Sequence, residues 1–448
     1  MQGQPDSRGH VLDTKSAAAA DAFNKGMHSF VGWRTDTFDH LDAAITADPE
    51  FALAKLTKGW ILQTARSAAF KPVIDDLVKA ATPLIDSTDD RARAYCDSLG
   101  AAANGRGVEA ASIMEAMLVR YPTDLLAHRL VQFEMFWNGR SAWMREIAER
   151  AAPHWRSDMT DFGCFLSVRS FSSEEAGDYD LADRFGREAI EIDPCDCWGA
   201  HAIAHVLVMQ GKVDDGVAWL EGLSGNWDGA NQMGHHLWWH LCLFLLERGE
   251  HDRILDLLST RIRNPEAPLV KAVPDATIDL QNVASLLMRL ELRGVDIGDR
   301  WHIMADVCAG RIHNHANSFS NAHDMMVLAG CGRFDLADKL LDSMRAFVAA
   351  GESNLATSHS AAGIAVCEAV LAHRRGDYAR VIELMAPVRH DMHLMGGSHA
   401  QRDIFYQILV DAARRAGRAD LIPLYFADIS RIGFDLVDQR TLYRDAAA

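Results

Sequence analysis

The sequence predicts an all-α chain built of stacked helical pairs, and three observations predict it. First, a proline recurs in one setting. The segments "AAITADPEFALA" (43–54), "AMLVRYPTDLLA" (116–127) and "AIEIDPCDCWGA" (189–200) each close an apolar helix and reach Pro49, Pro122 or Pro194. Proline suits a helix's first turn, where its missing N–H goes unused, so each is expected to start the next helix. Second, helix–glycine–helix corners recur at Gly249, Gly332, Gly376 and Gly417, each followed by a short polar stretch and then an apolar stripe at helical spacing. Third, no sustained alternation of β-branched residues marks a strand.

The proline spacings, 73 and then 72 residues, match about two tetratricopeptide periods of roughly 34 residues. Such pairs bury their faces only against neighbours. The expected architecture is therefore a tetratricopeptide-like α-solenoid, or a superhelix closed around a central pocket. Residues 1–20 read as a polar N-terminal segment, and residues 21–445 as the repeat domain. One joint is expected at 261–275, "RIRNPEAPLVKAVPD", with its three prolines.

Composition excludes some functions. The 448 residues carry 45 basic and 62 acidic side chains, a net charge of −17. Such a chain is repelled by nucleic-acid phosphates and anionic lipid, so neither is an expected partner. No uninterrupted apolar run reaches the ~18–20 residues of a membrane span, and residues 1–10 do not read as a signal peptide. The eight scattered cysteines form no disulfide framework, and a cytoplasmic location is expected. Cys195-x-Cys197 is their one close pair.

The histidines suggest chemistry. His201 and His205 are four apart in "WGAHAIAHVLVMQG", as are His236 and His240 in "NQMGHHLWWHLCLFL", with His235 on another face. Residues four apart stack on one side of a helix. His315 and His323, eight apart, would return to nearly one face after two turns. "GGSHAQRDIF" sets His399, Gln401, Arg402 and Asp403 at a glycine-rich helix start, where backbone N–H groups favour an anion. Trp198, Trp227, Trp238 and Trp239 cluster beside the histidine pairs. The plain reading of each such residue is core packing. The sharper reading is a pocket whose imidazoles bind a divalent zinc, iron or manganese ion, or act as acid and base. Neither pair has the Glu of HExxH, because Ala202 and Leu237 stand there.

The segments "AHAIAHVLVMQGKVDDGVAWL", "HLWWHLCLFLLERGEHD", "RLELRGVDIGDRW" and "GGSHAQRDIFYQIL" resemble the tetratricopeptide repeat protein thirty-eight family and its bacterial relatives, from about Phe23 to Ala412. The resemblance implies a helical superhelix and no particular activity. It matches the family pattern at His201, His205, His236, His240, His315, Phe319, His323, Gln401, Arg402 and Asp403. It departs at Val208, where the family often has Glu, and at His399, where relatives carry Asn.

The expected function is a small-molecule hydrolase or lyase. His201, His205, His236, His240 and His323 would be catalytic, with the first four as metal ligands. His315, Phe319, His399, Gln401, Arg402, Asp403, Trp198 and Trp239 would hold a substrate with an anionic group. The alternatives are a scaffold for a peptide or protein partner, or a small-ligand carrier. A homo-oligomer is compatible with either.

Overall fold

The computed structural model describes residues 3–447; Met1 and Gln2 of the N-terminal segment lie outside the described residues. The protein is all-helical. Its β-structure among the described residues is two isolated bridges, Pro5–Val11 and Arg34–Ala230. Two compact units emerge: residues 1–203 with 226–231, and residues 204–225 with 232–448.

In the first unit, successive helices pack in pairs. Ala17–Val31 lies on Thr37–Ala47, Asp90–Ala103 on Gly107–Leu118, and Phe162–Glu175 on Tyr179–Ile192. The two members of a pair differ in pattern. Tyr179–Ile192 buries one stripe, Ala182, Phe185, Gly186, Ala189 and Ile190. Leu125–Trp137 instead buries every residue from Leu125 to Met135. A striped helix covers a core, whereas one buried all round sits inside it.

The expected proline role needs correction. The helices begin at Ala52, Leu125 and Cys197, so Pro49, Pro122 and Pro194 lie in the preceding turns. Polar caps take over the start: the Asp124 carboxylate accepts from the Ala127 N–H. The glycine corners are observed. Gly249 and Gly332 both adopt a φ of +71° just past a helix, a conformation that side-chain-bearing residues resist.

In the second unit, an inner row of helices is packed in succession. It runs Gln232–Arg248, Thr277–Leu292, Ser318–Gly330, Ile364–Arg374 and His399–Arg415, and the last also packs on Thr277–Leu292. Striped helices such as Phe334–Ala349 and Tyr378–Val388 cover this row. The proline-rich stretch 261–275 lies within this unit and carries a short helix, Pro268–Ala272. One continuous helix, Asn354–Arg374, is long and apolar enough to cross a membrane, which counting uninterrupted apolar runs does not reveal. Of its apolar window 56% is buried, as in a core helix.

Candidate metal centre

The Cys197–Met209 helix begins on Asp196, whose Oδ1 accepts from the Trp198 and Gly199 N–H groups at 2.9 and 3.1 Å. His201 and His205 follow on this helix, one turn apart. The boundary between the units falls inside this helix, after Ile203. His236 and His240 stand one turn apart on Gln232–Arg248.

Within the second unit, His205, His236 and His240 converge. The His205 and His240 ring centroids are 4.5 Å apart, and those of His236 and His240 4.7 Å. Trp239 stacks on His236 at 5.0 Å and meets His240 edge-on at 4.8 Å. Each of these three histidines offers a nitrogen within 4.8 Å of the others. Tetrahedral Zn–N bonds of about 2.0–2.1 Å put ligand nitrogens roughly 3.4 Å apart, so side-chain rotations of about 1–1.5 Å close the set on an ion.

Burial sets the charge state. It pushes the His236 pKa down to about 3, against a partly compensating hydrogen bond to Asn282 and with help from His205. His240 is held well below the ordinary value by burial, then by His205, His236 and Arg289. Neutral imidazole is the form that binds metal. The His236 Nδ1 bonds Asn282 Oδ1 at 2.8 Å. That oxygen only accepts, so Nδ1 carries the proton, and a bond from this ring to an ion would be made through Nε2. His399 is depressed by burial, then by Arg402 and His205.

The other predicted residues are distributed differently. His323 donates from Nδ1 to the Phe319 carbonyl at 2.8 Å and packs between Phe319 and Phe405. Burial lowers its pKa to about 4, with Arg289 contributing. His315 does not share a helix face with His323. The helix starts at Ser318 with Asn317 as its cap, so His315 lies before it. It bonds Asn321 and Ser343 and faces His359 at 5.7 Å. Gln401 forms a capping box with Ser398. Arg402 does not present a free clamp at the helix start; it donates to the Gly396 and Gly397 carbonyls. Asp403 accepts from Tyr443 and Gln407. Trp198 packs among Trp33, Phe133, Phe171 and His201, and its indole N–H reaches Gln132 at 3.0 Å.

Sequence reasoning missed Asn282, Arg289, His359 and two buried carboxylates, Glu174 and Glu175, that also qualify by type as metal ligands. Asn282 and Arg289 had a signal. Gln281, Asn282, Ser285 and Arg289 form a polar stripe at helical spacing inside an apolar helix, and all are buried. A lone His359 or a pair of glutamates offers no comparable pattern.

These features define an all-helical protein with a buried histidine group able to bind a metal ion. No family model matches the chain.

Proposed function

We propose that the protein is a metal-dependent enzyme of hydrolase type, with His205, His236 and His240 as its ligands. The supporting observation is the convergence of three buried histidines in one unit, two of them held neutral by burial. A divalent ion on such a set supplies Lewis acidity and lowers the pKa of water, which is hydrolase chemistry when a position stays open. Burial disfavours the alternative of simple acid–base catalysis. A histidine with a pKa of about 3 is neutral at neutral pH and lacks the acidic imidazolium proton. Asn282 fixes the His236 tautomer, and Trp239 fixes the planes of both rings on its helix. We further read the paired helices as tetratricopeptide-like repeats of the thirty-eight family's kind.

Elemental analysis tests the metal reading. The expected result is about one zinc, iron or manganese per chain, lost in His236→Ala and His240→Ala while the helical circular-dichroism signal persists. Metal-free native protein that gains no thermal stability from added zinc, iron(II) or manganese would refute it. Metal bound without hydrolysis of ester, amide or phosphoester probes would leave a metal-binding protein and remove the enzyme.

A further inference from the structure

Arg289 is 1% exposed, and among the described residues no carboxylate hydrogen-bonds to it. Its guanidinium donates to Ser285 Oγ and to the carbonyls of Ser285 and Ala400. Burial lowers its pKa to about 10, opposed by the charge of Asp403, so it remains a cation at neutral pH. Asp403 is itself engaged by Tyr443 and Gln407. One helical turn on, Arg293 has a side chain 7% exposed. It reaches Glu247 at 3.4 Å, and its Nε has no hydrogen-bond partner. A buried cation with too few anionic partners is costly, and a bound anion relieves that cost.

The space for such an anion lies beside both arginines. A cavity of about 250 Å³ is lined by Arg289, Arg293, Arg440 and Arg444 against only Glu247 and Asp403 as carboxylates. The rest of its wall is largely aliphatic and aromatic, including Leu207, Leu243, Phe244 and Phe434. Residues 434–444 roof it and are tied down at several points. Asp435 N–H donates to the Met209 carbonyl at 2.8 Å, Thr441 N–H to Glu247 at 2.7 Å, and Tyr443 to Asp403. Leu436, on the rim, is 49% exposed, so the cavity reaches solvent.

We propose that this cavity binds a monocarboxylate with a medium-length aliphatic tail. The arginines take the carboxylate, for which a guanidinium fork is matched, and the apolar wall takes the tail. At about 30 Å³ per atom, the share of a water in the liquid, 250 Å³ holds roughly eight non-hydrogen atoms, and close packing admits a few more. Octanoate, with ten, is the probe. The site needs no metal and stands independently of the histidine reading.

Calorimetric titration of the full chain with octanoate tests it. Binding of one molecule per chain with Kd below about 1 mM is expected, with octan-1-ol and inorganic phosphate each at least about tenfold weaker, because head and tail are both recognised. Arg289→Met should weaken octanoate at least about tenfold. Leu436→Trp, on the exposed rim, should do the same by filling the cavity, and it guards against a folding failure of the buried variant. His236→Ala should bind octanoate normally, so this proposal and the metal centre fail separately. Absence of octanoate binding, equal binding of phosphate, or unchanged affinity in both Arg289→Met and Leu436→Trp overturns it.

Discussion

The two units pair most of their buried arginines alike, and the second departs from that at Arg289. In the first, buried arginines have partners within the unit. Arg91 bonds Asp124 at 2.7 Å and Asp6 at 3.3 Å, Arg66 bonds Glu134 at 2.6 Å, and Arg8 bonds Asp161 at 2.9 Å. Burial pulls the Arg91 pKa down, and Asp124, Tyr95 and Asp6 more than restore it. In the second, Arg311 lies 3.7 Å from Asp324 and Arg293 3.4 Å from Glu247, but Arg289 bonds neutral oxygens and the histidines sit against one another. Arg129 shows that the first unit is not uniform, since it lies over Trp198 at 4.9 Å with Gln132 as a neutral partner. The difference still teaches a rule. Charge neutralised within the fold is architecture, and charge left over beside space is a site for something else.

Acid should separate the units most strongly. His236, His240, His323, His359 and His399 of the second unit are all held below the ordinary value of 6.5, mainly by burial. Unfolded histidines take up protons as pH falls through 6.5, and these folded ones do not. Each therefore removes up to about 1.4 kcal/mol of stability per pH unit below 6.5 until its folded pKa is reached. The first unit has His128 in this class, at about 4. Its carboxylates behave otherwise. Asp124, lowered to about 2 because Arg91 outweighs its burial, loses its contribution only below 3.8. Asp13, raised to about 6 by burial, favours the folded state as pH falls from 6 to 3.8. Hydrogen exchange should show the second unit losing protection between pH 6 and 4.5 while the first keeps its own. Simultaneous loss, or loss in the first unit first, breaks the comparison.

Substituting charges should give opposite signs. Asp124→Asn leaves buried Arg91 with Asp6 alone, 3.3 Å away, and removal of one partner from a buried pair costs up to about 3–5 kcal/mol. Arg289→Met removes an uncompensated cation and should be neutral or stabilising in the ligand-free protein. Chemical denaturation of both variants decides it. An Arg289→Met loss as large as that of Asp124→Asn would show that Arg289 is paired after all.

How much of this was legible in the sequence follows from what spacing encodes. Four-residue spacing places two side chains on one helix face, so the pairs His201–His205 and His236–His240 could be read directly. Spacing does not say where a helix begins. Asn317 caps the helix after His315, so the eight-residue step to His323 crosses a loop and its geometry is lost. Nor does it say which helices meet. The contact of Asn282 with His236 joins residues 46 apart and depends on how two helices pack. The Pro-marked period was visible, but the prolines lie in turns because Asp124 and Asp196 cap the helices.

Asn282→Ala sharpens the metal reading at smaller cost. Asn282 supports a ligand without being one, and loss of such support lowers metal affinity about ten- to a hundredfold. Metal titration in a competing chelator measures this. A variant with native affinity would mean that Trp239 stacking alone orients His236.

Gln401→Ala carries the smallest expected effect and settles a choice that sequence reading left open. At the sequence level Gln401 was a candidate substrate ligand. Its side-chain oxygen instead accepts from the Ser398 N–H at 2.9 Å, while Ser398 Oγ accepts from the Gln401 N–H at 3.1 Å. This reciprocal cap satisfies two donors that the helix start leaves open. Its loss should cost about 0.5–1.5 kcal/mol in thermal or chemical unfolding, as cap and hydrogen-bond removals do. Asp403, which lines the cavity, lies two residues further along the same helix, so fraying of the first turn could loosen one wall slightly. Octanoate affinity should still change less than about threefold, because Gln401 is not among the cavity-lining residues. Metal content should stay the same. A large loss of ligand binding with little loss of stability would return Gln401 to the binding site and shift the cavity toward the start of its helix.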